Sequence, residues 1–73
     1  MRYEVIRHYA DGINGNEYSN HMTLELAHKA FTKAVDADKY YAVDVCEYKP
    51  FNPLYGVANG HTWKLINDEI VWN

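Results

Sequence analysis

The sequence predicts an α+β fold: a four- to five-stranded, mostly antiparallel sheet with one α-helix packed on one face. Three observations carry that expectation. Ala27, Ala30, Phe31, Ala34 and Val35 recur at helical spacing in one segment. RYEVIRHY at 2–9 and YYAVDVCEY at 40–48 are rich in β-branched and aromatic residues. HTWKLINDEIVWN at 61–73 reads as two apolar runs around a polar turn.

The first strand, 2–9, places Tyr3, Val5 and Tyr9 on one face and Ile6 on the other. Asp11-Gly12 and Asn14-Gly15 follow as turn signals, so 17–22 is expected to return as a short second strand. Thr23 is the expected N-cap of the helix, with Glu25 in its first turn. Leu24 extends the apolar stripe, and Glu25, Lys29, Lys33 and Asp36 take the solvated side. Alanine on the inner side allows close approach to a sheet, so a large residue at Ala30 is expected to overpack it.

The strand at 40–48 places Tyr41, Val43 and Val45 on one face and Tyr40, Ala42, Asp44, Cys46 and Tyr48 on the other. Apolar residues on both faces predict a central position in the sheet. Pro50 ends it, and KPFNPLYGVANG, with two prolines and two glycines, is expected to be a loop. In the last segment, an Asn67-Asp68 turn would set Trp63 opposite Trp72 and Leu65 opposite Ile70, all on one face. A one-residue slip would scatter these four across both faces, so the pattern itself supports the register. A parallel crossover between the first and middle strands is the alternative topology.

Seventy-three residues make a single domain, 1–73, near the lower size limit for folding alone. Cys46 is the only cysteine, so no disulfide supplements the core and a reducing, cytoplasmic setting is expected. Arg2, Glu4 and Arg7 occupy the start of the chain, where a signal peptide would need an apolar run. No apolar run approaches the ~20 residues of a membrane span. Net charge is −3 and the basic residues are scattered along the chain, unlike a duplex DNA binder.

Chemistry-bearing residues are few. His8, His21, His28, His61 and Cys46 lack the tight pairwise spacing of a structural zinc site, so no metal is expected. Cys46 falls in mid-strand, where a thiol most often acts as a small buried hydrophobe. The carboxylate pairs Asp36/Asp38 and Asp68/Glu69 sit at a helix end and a turn tip, and no glycine-rich phosphate loop follows a strand. Neither catalysis nor a cofactor is therefore expected. Aromatic residues are abundant: seven tyrosines, two tryptophans and two phenylalanines. So small a body cannot bury them all, and exposed aromatics favour protein partners. The 50–57 segment is unusually apolar for a loop, which makes Phe51, Leu54 and Tyr55 candidate anchors, with Tyr48 and His61 as rim. Covering of these aromatics by a homodimer is one alternative. Stacking of single-stranded nucleic acid on sheet tyrosines is another, opposed by the acidic balance.

The plan formed by RYEVIRHY, the helix TLELAHKAF, the strand YYAVDVCEY and the hairpin with Trp63 and Trp72 resembles small accessory proteins encoded by bacteriophages and mobile elements, including anti-CRISPR-type inhibitors. The resemblance implies a non-enzymatic protein that occludes a surface on a bacterial host complex. It assigns no site residues.

Overall fold

A computed structural model describes residues 2–9, 15–48 and 52–73. Its elements are β1 (Tyr3–His8), β2 (Glu17–His21), α1 (Leu24–Asp36), β3 (Ala42–Glu47), β4 (Asn52–Ala58), β5 (His61–Ile66) and β6 (Glu69–Trp72). The strands form one sheet in the order β2-β1-β3-β4-β5-β6, every neighbouring pair antiparallel. The α+β class is as expected, but the sheet has six strands where four or five were predicted.

The added strand is β4. Residues 52–58 were expected in a loop because of their prolines and glycines, yet Val57 pairs with Val43 and Tyr55 with Val45. Pro53 is tolerated because the register shifts there: Val45 faces Tyr55 while Cys46 faces Pro53, leaving Leu54 as the extra residue of a bulge. Asn59 and Gly60, at φ 52° and 78°, make the tight turn into β5. The parallel-crossover alternative fails, since β1 and β3 are antiparallel. It is β2 and β3, lying on either side of β1, that run parallel to each other, and α1 connects them.

The helix begins as its sequence directs. Thr23 is extended at φ −133°, and its Oγ1 accepts the Leu26 N–H at 3.2 Å. Ala27 and Ala34 are buried, while Ala30, Phe31 and Val35 are partly buried against the same core. Leu24 departs from the expected stripe. It is 41% exposed and lines an open hollow with His28 and Tyr55.

Val5, Val43 and Val45 form the sheet side of the core under α1, joined by Ala27 and Ala34. Burying a valine of this kind is worth about 1.5–3 kcal/mol. The helix packs on β1, β2 and β3, and it reaches β4 through Phe31 and His28, which meet the Tyr55 ring. The β5–β6 hairpin therefore extends past the helix. Accessible surface is 5111 Å², above the ~4,600 Å² expected for a compact chain of this mass.

Candidate functional site

The hairpin lies where the expected register placed it. Trp63 pairs with Trp72, Lys64 with Val71, Leu65 with Ile70 and Ile66 with Glu69. Asn67 and Asp68 have φ of 50° and 64°, the positive pair that a two-residue turn of right-handed twist requires. Alternation along the ladder then fixes the faces. Val43, Tyr55 and Lys64 lie on the helix side, so Asp44, Gly56, Trp63, Leu65, Ile70 and Trp72 lie on the opposite face.

Trp63 is held down on that face by its neighbour. A Cβ built at Gly56 would come within 2.8 Å of Trp63 Cζ2, so the indole lies directly on the glycine. Trp63 and Leu65 are half-buried, whereas Ile70 is 55% and Trp72 54% exposed. On the helix side of the same hairpin, Ile66 and Val71 are also exposed, because α1 does not cover this part of the sheet. An apolar ribbon thus stands open on both faces.

The hydrogen-bond pattern defines its edge. Asn73 N–H donates to Thr62 O at 2.9 Å. Antiparallel alternation makes Lys64/Val71 and Ile66/Glu69 the other hydrogen-bonded pairs. The backbone N–H and C=O of Ile70 and Trp72 therefore point away from β5. Among the described residues no strand pairs with that outer edge. Neither a proline nor a lysine blunts it.

The residues proposed from sequence are distributed differently. Tyr55 is half-buried between β4 and α1: its ring meets Phe31 edge-on with centroids 5.2 Å apart, its hydroxyl bonds His28 Nδ1 at 2.6 Å, and burial raises its pKa. Leu54 packs against the core. Tyr48 is exposed just after β3, and His61 is exposed at the start of β5, opposite Ala58. Phe51 and the Lys49-Pro50 strand end lie outside the described residues, as does most of the turn expected at 11–15. The four described candidates do not form one patch: Tyr55 faces the helix side and His61 the other. The exposed β5–β6 ribbon was not among the sites expected from sequence, and the signal that it faces outward is that α1, the one helix among the described residues, packs on β1, β2 and β3.

Polar chemistry on the ribbon's face is limited. His8 Nε2 and Asp44 Oδ2 lie 2.8 Å apart across β1 and β3. Cys46, two residues from Asp44 on the same strand, is 2% exposed. Burial first, and then the Asp44 and Glu4 charges, push its pKa up to about 12, so the thiol keeps its proton at neutral pH. Among the described residues no group of three or more His, Cys, Asp or Glu could hold a metal ion. No helix among them is long and apolar enough to cross a membrane. Compared with known proteins, the chain matches no family model, no curated protein and no solved structure.

Proposed function

We propose that this chain is a non-catalytic protein-binding module that receives an extended segment of another protein along the outer edge of β6. The observation that supports the reading is the coincidence of two features on the same residues. Ile70 and Trp72 present their side chains on an open apolar face and their backbone groups on an unpaired edge. Strand addition uses both at once, main-chain hydrogen bonds for affinity and alternate side chains for selectivity. Asp68 and Glu69 stand at one end of this edge, which suits a segment carrying a basic residue there. A second copy is the poorer occupant, because pairing two chains of net charge −3 brings like charge together. The architectural likeness to phage-encoded inhibitors extends the reading to a bacterial host complex as the source of the segment. Stacking of single-stranded nucleic acid is the poorer reading: Tyr3, Tyr40 and Tyr55 pack against the core, Tyr9 bonds Glu17, and the exposed Tyr18, Tyr41 and Tyr48 belong to a chain of net charge −3.

A displayed library of random peptides, selected on the native protein, tests this. Ile70→Pro removes only an outward N–H and leaves the bonds from Glu69 and Val71 to β5 intact, so the variant is expected to fold. The expected ligands alternate apolar residues and lose binding to both Ile70→Pro and Trp72→Ala. Ligands that bind Ile70→Pro as well as they bind the native chain would overturn the strand-addition reading. A concentration-dependent doubling of the 8.5 kDa mass, abolished by Ile70→Pro, would reassign the edge to a homodimer.

A further inference from the structure

The opposite end of the molecule carries a second feature, independent of the β6 edge. A cleft of about 430 Å³ lies between α1 and the β1–β2 edge of the sheet. Its floor includes Ala30, Ala34 and Ala37, spaced along one side of the helix, so no bulky side chain fills it. Around it stand Arg7 from β1, Ser19 and His21 from β2, Lys33 from α1, and Lys39 and Tyr40 from the segment after the helix. Three of the chain's seven lysines and arginines thus converge on one cleft of a protein whose net charge is −3.

Lys39 Nζ stands 5.3 Å from the centroid of the Tyr40 ring. Among the described residues, Arg7, Lys33 and Lys39 make no ion pair within 4.0 Å. The carboxylate whose titration feels Lys39 and Arg7 is Glu17. Its two oxygens already accept from the Tyr9 and Tyr40 hydroxyls, and the Tyr9 bond is the main reason its pKa lies below the usual carboxylate range. Arg7 spends one N–H on Ser19 Oγ at 3.1 Å, and Ser19 Oγ lies 2.8 Å from His21 Nε2. That chain of contacts orients the guanidinium and leaves most of its five donors open.

The geometry points to this cleft as a binding site for a small phosphorylated molecule. Arg7, Lys33 and Lys39 supply charge, the open N–H groups of the Arg7 fork match phosphate oxygens, and Ser19 adds a hydroxyl beside them. The walls limit the ligand's size. A long polyanion would leave the cleft and meet the acidic remainder of the surface.

Pyrophosphate titrated into the full 73-residue chain, followed by backbone amide NMR shifts, tests the assignment. Saturable shifts are expected at Ser19, His21 and Ala34, weakening as salt is raised. Arg7→Gln and Lys39→Gln are each expected to weaken binding about tenfold, the loss of one charge-assisted contact. Ala37→Glu, at an exposed helix end, is expected to abolish it. Lys64→Gln changes net charge equally on β5, outside the cleft, and is expected to have little effect. Equal weakening by Lys64→Gln and Arg7→Gln would reduce the effect to net charge and overturn the site. So would the absence of saturation, or tighter binding of a short single-stranded oligonucleotide whose shifts spread over the sheet.

Discussion

A methyl group at position 56 would lie 2.6 Å from the Val43 carbonyl oxygen, 2.8 Å from Asp44 Oδ1 and 2.8 Å from Trp63 Cζ2. The first of these is backbone in the central strand, which cannot swing aside as a side-chain end can. Gly56→Ala is therefore expected to cost about 1–3 kcal/mol through overpacking, read as a lower urea midpoint, and to lift the Trp63 indole, read as a red-shifted emission. An unchanged midpoint would mean that Trp63 does not lie on the glycine. Cys46, on the same face, gives a pH prediction. Its pKa rises from an ordinary 9.0 to about 12 in the fold, with burial as the chief cause. The folded state then holds the proton more tightly than the unfolded chain. The associated stability is complete below pH 9 and is lost as pH climbs toward 12. Tyr9, raised from 10.0 to about 12 chiefly by its bond to Glu17, acts in the same direction. Stability should fall above pH 9, and less steeply in Cys46→Ala. At pH 8 the native thiol should alkylate far more slowly than in urea, since burial both shields it and holds it in the unreactive protonated form.

Among the elements, the β5–β6 turn is correct in length but imperfect in composition. Asp68 sits at φ 64°, which glycine adopts without cost and aspartate does not. Asp68→Gly is expected to stabilise the protein by on the order of 0.5 kcal/mol, seen as a raised thermal midpoint with binding at β6 retained. The gain is the relief of ~1–2 kcal/mol of left-handed strain less the ~0.4–1 kcal/mol that a more flexible glycine adds to the unfolded chain's entropy. A lowered midpoint would show that the aspartate side chain supports the turn. This hairpin was legible in the sequence because turn chemistry and the Trp63, Leu65, Ile70, Trp72 alternation point to one register. Helix α1 was legible for the same reason, its Thr23 cap agreeing with its apolar period. Strand β4 was not, although Asn59-Gly60 is as strong a hairpin signal as any in the chain. Pro53 and Gly56 argued against a strand, and neither the bulge that admits the proline nor the indole that needs the glycine can be seen before the register is known. The cationic cleft was hidden for a related reason. Arg7, Lys33 and Lys39 are scattered along the chain, and only the β2–α1–β3 connection brings them together.

Over the whole molecule, cover is uneven, and that asymmetry predicts how the protein opens. Helix α1 seals β1 and β3, where Val5 and Val45 are 0% exposed. Beyond β4 the sheet continues as a two-stranded ribbon, and every β6 residue is exposed. A lone hairpin is marginal in water, so the ribbon depends on its seam with β4, where Gly56 faces Trp63. Native-state hydrogen exchange should therefore divide the sheet. The amide of Val45 is expected to exchange only through global unfolding, accelerating as urea is added. Val71, although bonded to β5, should exchange through local opening that urea barely alters. The outward amides of Ile70 and Trp72 should exchange fastest, and a strand added at β6 should slow them together with Val71. Exchange at Val71 as slow as at Val45 would mean that the ribbon opens only with the whole domain. The edge would then be a rigid template. The expected gradient instead makes it the least stable part of the sheet, ordered fully by whatever pairs with it, which lowers affinity for each area buried but allows one edge to fit several related segments.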